Sequence, residues 1–410
     1  MDRRALLTTA GTSAALVGLG GCLERLARES DTTTETPSES NRANESGAGS
    51  EWQHDVGGFV STVADGLVIG RRGPALEVRD QLFALDAATG DHQWEYQGPD
   101  GYNVQTDLTV DDAIYFGRGD DAIGSGRGTT YALTFDGEER WTRSTGSIYS
   151  PPRVDDGVVY VVGDDAVVRA FATADGTPLW DTEFDEQRAI GNTVAGIGES
   201  VYVCVGTIAA LDPDDGTIQW TSGALDETIR TATAVDDVVY LTDRHGVAAV
   251  ADGETRWRVP FESHARIEGI TPTRVIVAQG DGIYAFDTTT GDERWRLEDS
   301  NPATVTVHGD RVYVGGGEIR ALETTDGHEL WTETVEAGVP VGTPTVVDEG
   351  DEGSDHAAYV QTDETRLHRL DADGEVTWTK SFESEIRNLV VDGRVFVGTA
   401  SAIHALAPQR

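Results

Sequence analysis

Few side chains in this chain are placed to do covalent or metal chemistry. The clearest reactive position is Cys22, which closes the run Leu19-Gly20-Gly21-Cys22. Small residues before a cysteine suit a peptidase that holds the chain extended, and cleavage there leaves the thiol to carry lipid, as at a lipobox. Arg3 and Arg4 precede the apolar stretch from Ala5 to Gly21, which reads as a twin-arginine export signal and is too short and glycine-rich for a membrane span. The second cysteine, Cys204, lies mid-strand in Val201-Tyr202-Val203-Cys204-Val205 and reads as a small core residue. The nine histidines are scattered, with no His-Glu-x-x-His and no Cys-x-x-Cys, so no zinc site is expected. Gly124-Ser125-Gly126-Arg127-Gly128 has no following lysine and so is no phosphate loop, and no nucleophile elbow is present. The turn Asp212-Pro213-Asp214-Asp215-Gly216 lacks the later carboxylate that would close a calcium shell. The expected site inventory is therefore no catalytic and no metal residue.

Charge sets a second boundary. Acidic residues number 72 and basic ones 31, a net −41 over 410 residues, and Lys380 is the one lysine. Such a surface repels nucleic acid and repels itself in dilute buffer. In molar salt the Debye length falls to ~3 Å and the repulsion is screened. The composition reads as that of a halophilic, haloarchaeal protein. Against this background five arginines stand out in two long connections, 70–81 and 117–130: Arg71, Arg72, Arg79, Arg118 and Arg127. Guanidinium groups suit bidentate recognition of carboxylate or phosphate, so they form a candidate patch for an anionic partner. The competing reading pairs them with Glu77, Asp80, Asp120 and Asp121. A third insertion, Asp348 to Asp355, is acidic and is expected to be disordered.

The elements that position these groups come from a repeat. The tryptophans are Trp52, Trp94, Trp141, Trp180, Trp220, Trp257, Trp295, Trp331 and Trp378, with gaps of 42, 47, 39, 40, 37, 38, 36 and 47 residues. A period near 40 in a β-rich sequence predicts propeller blades. Each unit runs as an alternating strand, a tight turn such as Asp156-Gly157, a β-branched strand, an Ala-Leu-Asp strand and a last strand with tryptophan. In the eight complete units a glycine lies four residues before the tryptophan: Gly90, Gly137, Gly176, Gly216, Gly253, Gly291, Gly327 and Gly374. The last unit lacks its glycine and tryptophan, and Trp52 lacks its three preceding strands. Joined, the two ends complete one blade and close the ring. The expected organisation is a signal peptide with lipobox at 1–21, a lipidated disordered stalk at 22–50 with a coil reach of ~30 Å, and an all-β propeller of four-stranded blades at 51–410. The stalk carries one glycosylation sequon, Asn44-Glu45-Ser46.

The best-preserved units, Ala84-Leu85-Asp86-Ala87-Ala88-Thr89-Gly90-Asp91-His92-Gln93-Trp94 and Ala285-Phe286-Asp287-Thr288-Thr289-Thr290-Gly291-Asp292-Glu293-Arg294-Trp295, resemble the tryptophan-docking repeat of the pyrroloquinoline quinone (PQQ) propeller family over about 52–407. Relatives of this kind usually have eight blades, whereas the tryptophans here count nine. In the dehydrogenases of that family the resemblance implies PQQ on the axis beneath a vicinal disulfide, and calcium held by Glu, Asn and Asp. Here no two cysteines are adjacent and every tryptophan belongs to the repeat, so the expectation is no cofactor. The leading reading is a non-catalytic scaffold anchored by lipid to the outer face of the cell membrane, with other proteins or envelope components as partners and no nucleic acid. It is similar in repeat and anchor to bacterial lipoprotein propellers that help assemble outer-membrane barrels. A PQQ-dependent enzyme and a propeller binding a small solute or sugar stand as alternatives.

Overall fold

The computed structural model describes residues 49–72, 81–98, 103–104, 106–119, 127–185, 192–222, 229–243, 245–261, 264–280, 282–298, 304–335, 342–349 and 355–407. The predicted signal, Arg3, Arg4, Cys22 and nearly all of the stalk lie outside them, as does Arg79.

Nine antiparallel sheets form the described chain, and no helix occurs among the described residues. Blades 1 to 8 span 59–96, 103–144, 153–183, 193–222, 231–260, 265–298, 304–333 and 345–381. Blade 9 combines 386–406 with the N-terminal strand Ser50–His54, which pairs with Ile403–Leu406 and sets Trp52 opposite Ala405. Nine blades are thus observed, as the tryptophan count predicts, and the two chain ends share one blade. In blade 2 the first position is divided between Asn103–Val104 and Thr109–Val110, both paired with Ile114–Gly119. The first strands of neighbouring blades touch one another, which places them around the axis and the tryptophan strands at the rim.

Why the sheets stack is visible in where the apolar residues go. Nine separate hydrophobic clusters fill the nine interfaces between neighbouring blades, one each. The cluster of Val60, Val68, Phe83, Phe396 and Ile403 seals blade 9 against blade 1. There Asn388 accepts a hydrogen bond from the Val60 N–H at 3.0 Å and donates to the Val60 carbonyl at 2.5 Å, so one side chain satisfies both backbone groups across the closure. A closed ring leaves no unpaired blade face, which removes the edge that an open array would present.

The local chemistry of the turns follows from the repeat. Between first and second strands, Asp65-Gly66 has φ of 50° and 75°, and Asp156-Gly157 has 43° and 78°. Two positive φ angles mark the type I′ hairpin, which Asp-Gly tolerates at least cost. Between third and fourth strands, the Asp86 carboxylate accepts from the Ala88 and Thr89 N–H groups at 2.9 and 2.8 Å, while Thr89 Oγ1 donates to Asp91 at 2.9 Å. The Thr89 and Ala88 amides hold this carboxyl below its ordinary range. The Asp-x-x-Thr-Gly signature is therefore a turn fastening. Asp212 and Asp215 behave alike, accepting from Asp214 and Thr217 at 2.9 Å each, so this acidic turn is internally satisfied.

Blade 8 buries an imidazole. His368 is 3% exposed and sits between Thr362 Oγ1 and Thr379 Oγ1, both at 2.8 Å. Burial, with Arg366 nearby, lowers its pKa to about 4 from 6.5. The folded state thus favours the neutral ring. The associated stability is present above the unfolded-state value and is lost as pH falls from about 6.5 through 4, on the order of 3 kcal/mol at 1.36 kcal/mol per unit. The His368→Gln variant should lack this component. Urea titrations from pH 7 to 4 should show its stability falling by less than that of the parent, and identical profiles would remove His368 as the cause.

Candidate functional site

The tryptophans form the repeated structural site, and most are held from two sides. In seven of the nine the ring leans on an aromatic residue in the second strand of its own blade, as in Tyr160–Trp180 at 5.8 Å and Tyr240–Trp257 at 6.1 Å between centroids. Its other contact is the third-to-fourth strand turn of the next blade. A Cβ built on Gly90, Gly137, Gly176, Gly216, Gly291, Gly327 or Gly374 would come within 2.5–2.7 Å of the ring of Trp52, Trp94, Trp141, Trp180, Trp257, Trp295 or Trp331 respectively. Gly253 faces Trp220 more loosely, at 3.3 Å. These glycines have φ between 68° and 85°. Each is required twice, by the left-handed backbone and by the indole that covers it. In seven of the tryptophans the indole N–H then donates to a carbonyl of that same turn: Trp141 to Thr173 at 2.8 Å and Trp295 to Thr324 at 2.8 Å are examples.

Trp378 departs from the pattern. Its neighbour, blade 9, has the chain ends where the other blades have a glycine turn. Trp378 is 2% exposed, yet its N–H has no partner among the described residues.

The arginines of the proposed patch divide. Strands 2 and 3 meet on the face where strand 1 begins, so the connections after Arg72 and Gly119 lie on one face of adjacent blades. Arg71 and Arg72 end the strand Leu67–Arg72; Arg72 pairs with Glu95 at 2.8 Å. Arg127 is exposed. Arg118 belongs to the strand Ile114–Gly119, is 1% exposed and packs its guanidinium against Gly98, so it is a core group and not a surface one. Strand pairing carries further into both connections than the sequence pattern suggests, and this is what draws Arg118 inside. The suggested acidic partners Glu77, Asp80, Asp120 and Asp121 lie outside the described residues.

The structure adds residues that repeat length alone does not reveal. The Arg71 guanidinium lies 5.8 Å and that of Arg387 5.3 Å from the Phe59 ring centroid, a cation–π pair joining blades 1 and 9. Arg153, Arg266 and Arg387 all stand at the starting ends of inner strands. They therefore surround the same mouth of the ring as Arg71 and Arg72. Arg266 is balanced by Glu268 at 2.9 Å. Sequence reasoning missed these because they fall within ordinary repeat length and converge only when the ring closes.

One group of metal-binding type is assembled by the fold. The ligand atoms of His308, Asp348 and His356 lie within 4.8 Å of one another. Asp348 Oδ1 meets His308 Nε2 at 2.7 Å and His356 Nδ1 at 3.1 Å. The hydrogen bond to His308 is the main cause of a lowered Asp348 pKa. Cys204, by contrast, is 2% exposed with its thiol pushed up to about 12 by burial, as expected of a core residue.

Ring closure, four-stranded blades and a tryptophan docked on each following glycine turn define a tryptophan-docked β-propeller. The chain belongs to the family described as outer membrane protein assembly factor BamB, whose model matches residues 116–204, 205–345 and 315–407. Proteins of that name are similar to it in Burkholderia pseudomallei (26% identity over 240 residues, 52% of this chain and 59% of that protein), Bordetella pertussis (24% over 298 residues, 62% and 75%) and Yersinia pestis (24% over 336 residues, 72% and 83%). The match to the Burkholderia protein thus spans under two thirds of its length. Among solved structures, BamB from Moraxella catarrhalis aligns with a TM-score of 0.51 at 18% identity, covering 88% of this chain and 100% of that one. The computationally designed protein Ika8 aligns at 0.54 with 12% identity, covering 89% and 98%. These two likenesses concern the fold alone.

Proposed function

We propose that this chain is a protein-binding scaffold of the cell envelope, exported through Arg3 and Arg4, tethered by lipid on Cys22, and engaging acidic partners with the arginine-lined mouth of its ring. The observation that carries the binding surface is the bracketing of Phe59 by Arg71 and Arg387, beside Arg72. In a chain of net charge −41, cationic side chains converging on one mouth are the exception. An aromatic face backs the two guanidiniums, a group whose planar fork suits carboxylates. Family membership supports the assembly role, since the relatives are named as assembly factors. Nothing of their outer-membrane setting is carried over.

The test is capture of envelope proteins by the mature chain at high salt, comparing the parent with an Arg71→Ser/Arg387→Ser double variant. Arg256→Ser, on an outer strand, serves as control. Loss of two guanidinium contacts worth about 1 kcal/mol or more each should lower capture of a defined partner by about tenfold or more, with the control unaffected. Equal capture by all three would remove this mouth as the binding surface. Calorimetry with PQQ and Ca²⁺ belongs in the same series, because a heat of binding would favour an enzyme over a scaffold.

A further inference from the structure

We infer that His308, Asp348 and His356 form a divalent transition-metal site, best suited to zinc, that ties blade 7 to blade 8. Asp348 and His356 are direct cross-strand partners at the connected end of the hairpin formed by Thr345–Glu349 and Asp355–Thr362, one pair before the strands part. Both therefore project from the same sheet face. Val346, two residues earlier on that face, packs into the cluster between the two blades with Tyr313 and Ile319. The Asp348–His356 pair thus points at blade 7. His308 comes from there, as the last residue of the strand Thr304–His308.

The three groups are chemically matched to zinc. Two imidazole nitrogens and one carboxylate are the ligands of a three-residue zinc centre with a fourth position for water or substrate. Imidazole disfavours magnesium and calcium, which take oxygen. Bonds of about 2.0–2.1 Å in a tetrahedron place ligand atoms about 3.3 Å apart. The observed separations of 2.7 and 3.1 Å about Asp348 Oδ1 need open by about 0.6 and 0.2 Å to reach that spacing. The imidazole rings stand nearly perpendicular, 85° with centroids 5.1 Å apart, so their nitrogens converge without stacking. Exposure is graded from inside outward: His356 is 7% exposed, His308 27% and Asp348 56%. The buried imidazole fixes the geometry, and the exposed carboxylate leaves an entry path and room for water.

The experiment is Zn²⁺ titration of the full mature chain by calorimetry, in a non-coordinating potassium salt at high ionic strength. His308→Gln and Asp348→Asn serve as variants, since both positions are exposed enough to change without emptying the core. The parent should take up one Zn²⁺ tightly, and Co²⁺ in its place should give the visible absorption of a four-coordinate ion. Either variant, with an unchanged circular dichroism spectrum, should bind about 100-fold more weakly, the upper end of what even outer-shell changes cost. If parent and variants bind Zn²⁺ equally, the ion is held by general surface carboxylates and the assignment fails. It fails equally if Ca²⁺ or Mg²⁺ binds as well as Zn²⁺, which would leave the triad as a hydrogen-bonded strut.

Discussion

Replacing Trp141 by alanine should destabilise the propeller by about 3–5 kcal/mol, the range for deleting a buried large aromatic. Trp141 is 5% exposed, and three features are lost together. Its ring fills the space between Tyr115 and Phe171, at 5.9 and 6.0 Å. It covers Gly176 of the following blade. Its N–H satisfies the Thr173 carbonyl at 2.8 Å. A comparison within the molecule separates the last of these. In Trp141→Phe the ring is largely kept but the carbonyl loses its partner, costing about 1–3 kcal/mol if that group stays dry. In Trp378→Phe an N–H that has no partner among the described residues is removed, so the hydrogen-bond component should be absent and the cost smaller. Urea midpoints at constant high salt measure both, urea being uncharged. Equal losses at the two positions would mean that the docking hydrogen bond contributes nothing and that ring packing alone joins the blades.

A second large effect should appear when salt is withdrawn. The chain carries 41 more acidic than basic groups, and among the described residues several ion pairs are local and surface-exposed, as between Arg296 and Glu298 or Arg256 and Asp252. Such pairs are each worth about 0–1 kcal/mol and do not offset repulsion summed over the whole surface. At about 0.1 M salt charges act over a Debye length of ~10 Å, and at 1 M over ~3 Å. The melting temperature should therefore climb steeply between dilute buffer and about 3 M KCl. Sulfate, which also strengthens apolar burial, should stabilise more at equal ionic strength. A melting temperature independent of salt would contradict the halophilic reading of the composition.

The two effects meet at the blade interfaces. Nine apolar clusters, each shared by two blades, resist a repulsion that acts on the whole disc, so a weakened interface should open sooner in dilute salt. Combining Trp141→Ala with low salt should consequently be worse than either alone.

Much of this architecture can be read from residue spacing. Period, strand order and blade number follow from interactions within one unit of about 40 residues, repeated, while ring closure is read from the two incomplete units at the ends. A glycine at a constant offset from tryptophan, or Asp-x-x-Thr-Gly, specifies a turn through its own backbone hydrogen bonds, as Asp86 and Thr89 do. The sequence could not reveal which blade's tryptophan each glycine receives. Trp52 covers Gly90, a pairing that exists only after blade 9 meets blade 1. Nor could it reveal the fate of Arg118, which reads as part of a surface connection and is enclosed because its strand extends to Gly119.

The sites show the same division. The proposed signal of Arg3, Arg4 and Cys22 is linear, and such a signal is legible in sequence because an extended chain is what a transport system and a peptidase meet. His308, Asp348 and His356 are separated by 40 and 8 residues and match no motif. They come together because the cross-strand register sets Asp348 opposite His356 and the stacking of blades brings His308 to both. Phe59 and Arg71 are cross-strand partners within blade 1, and Arg387 likewise joins them only across the closure of the ring. By itself the sequence determined the blade and how many there are, since those depend on contacts between near neighbours in the chain. Which side chains face each other across blades was decided by the tertiary structure alone, because register and ring closure place residues hundreds of positions apart within bonding distance.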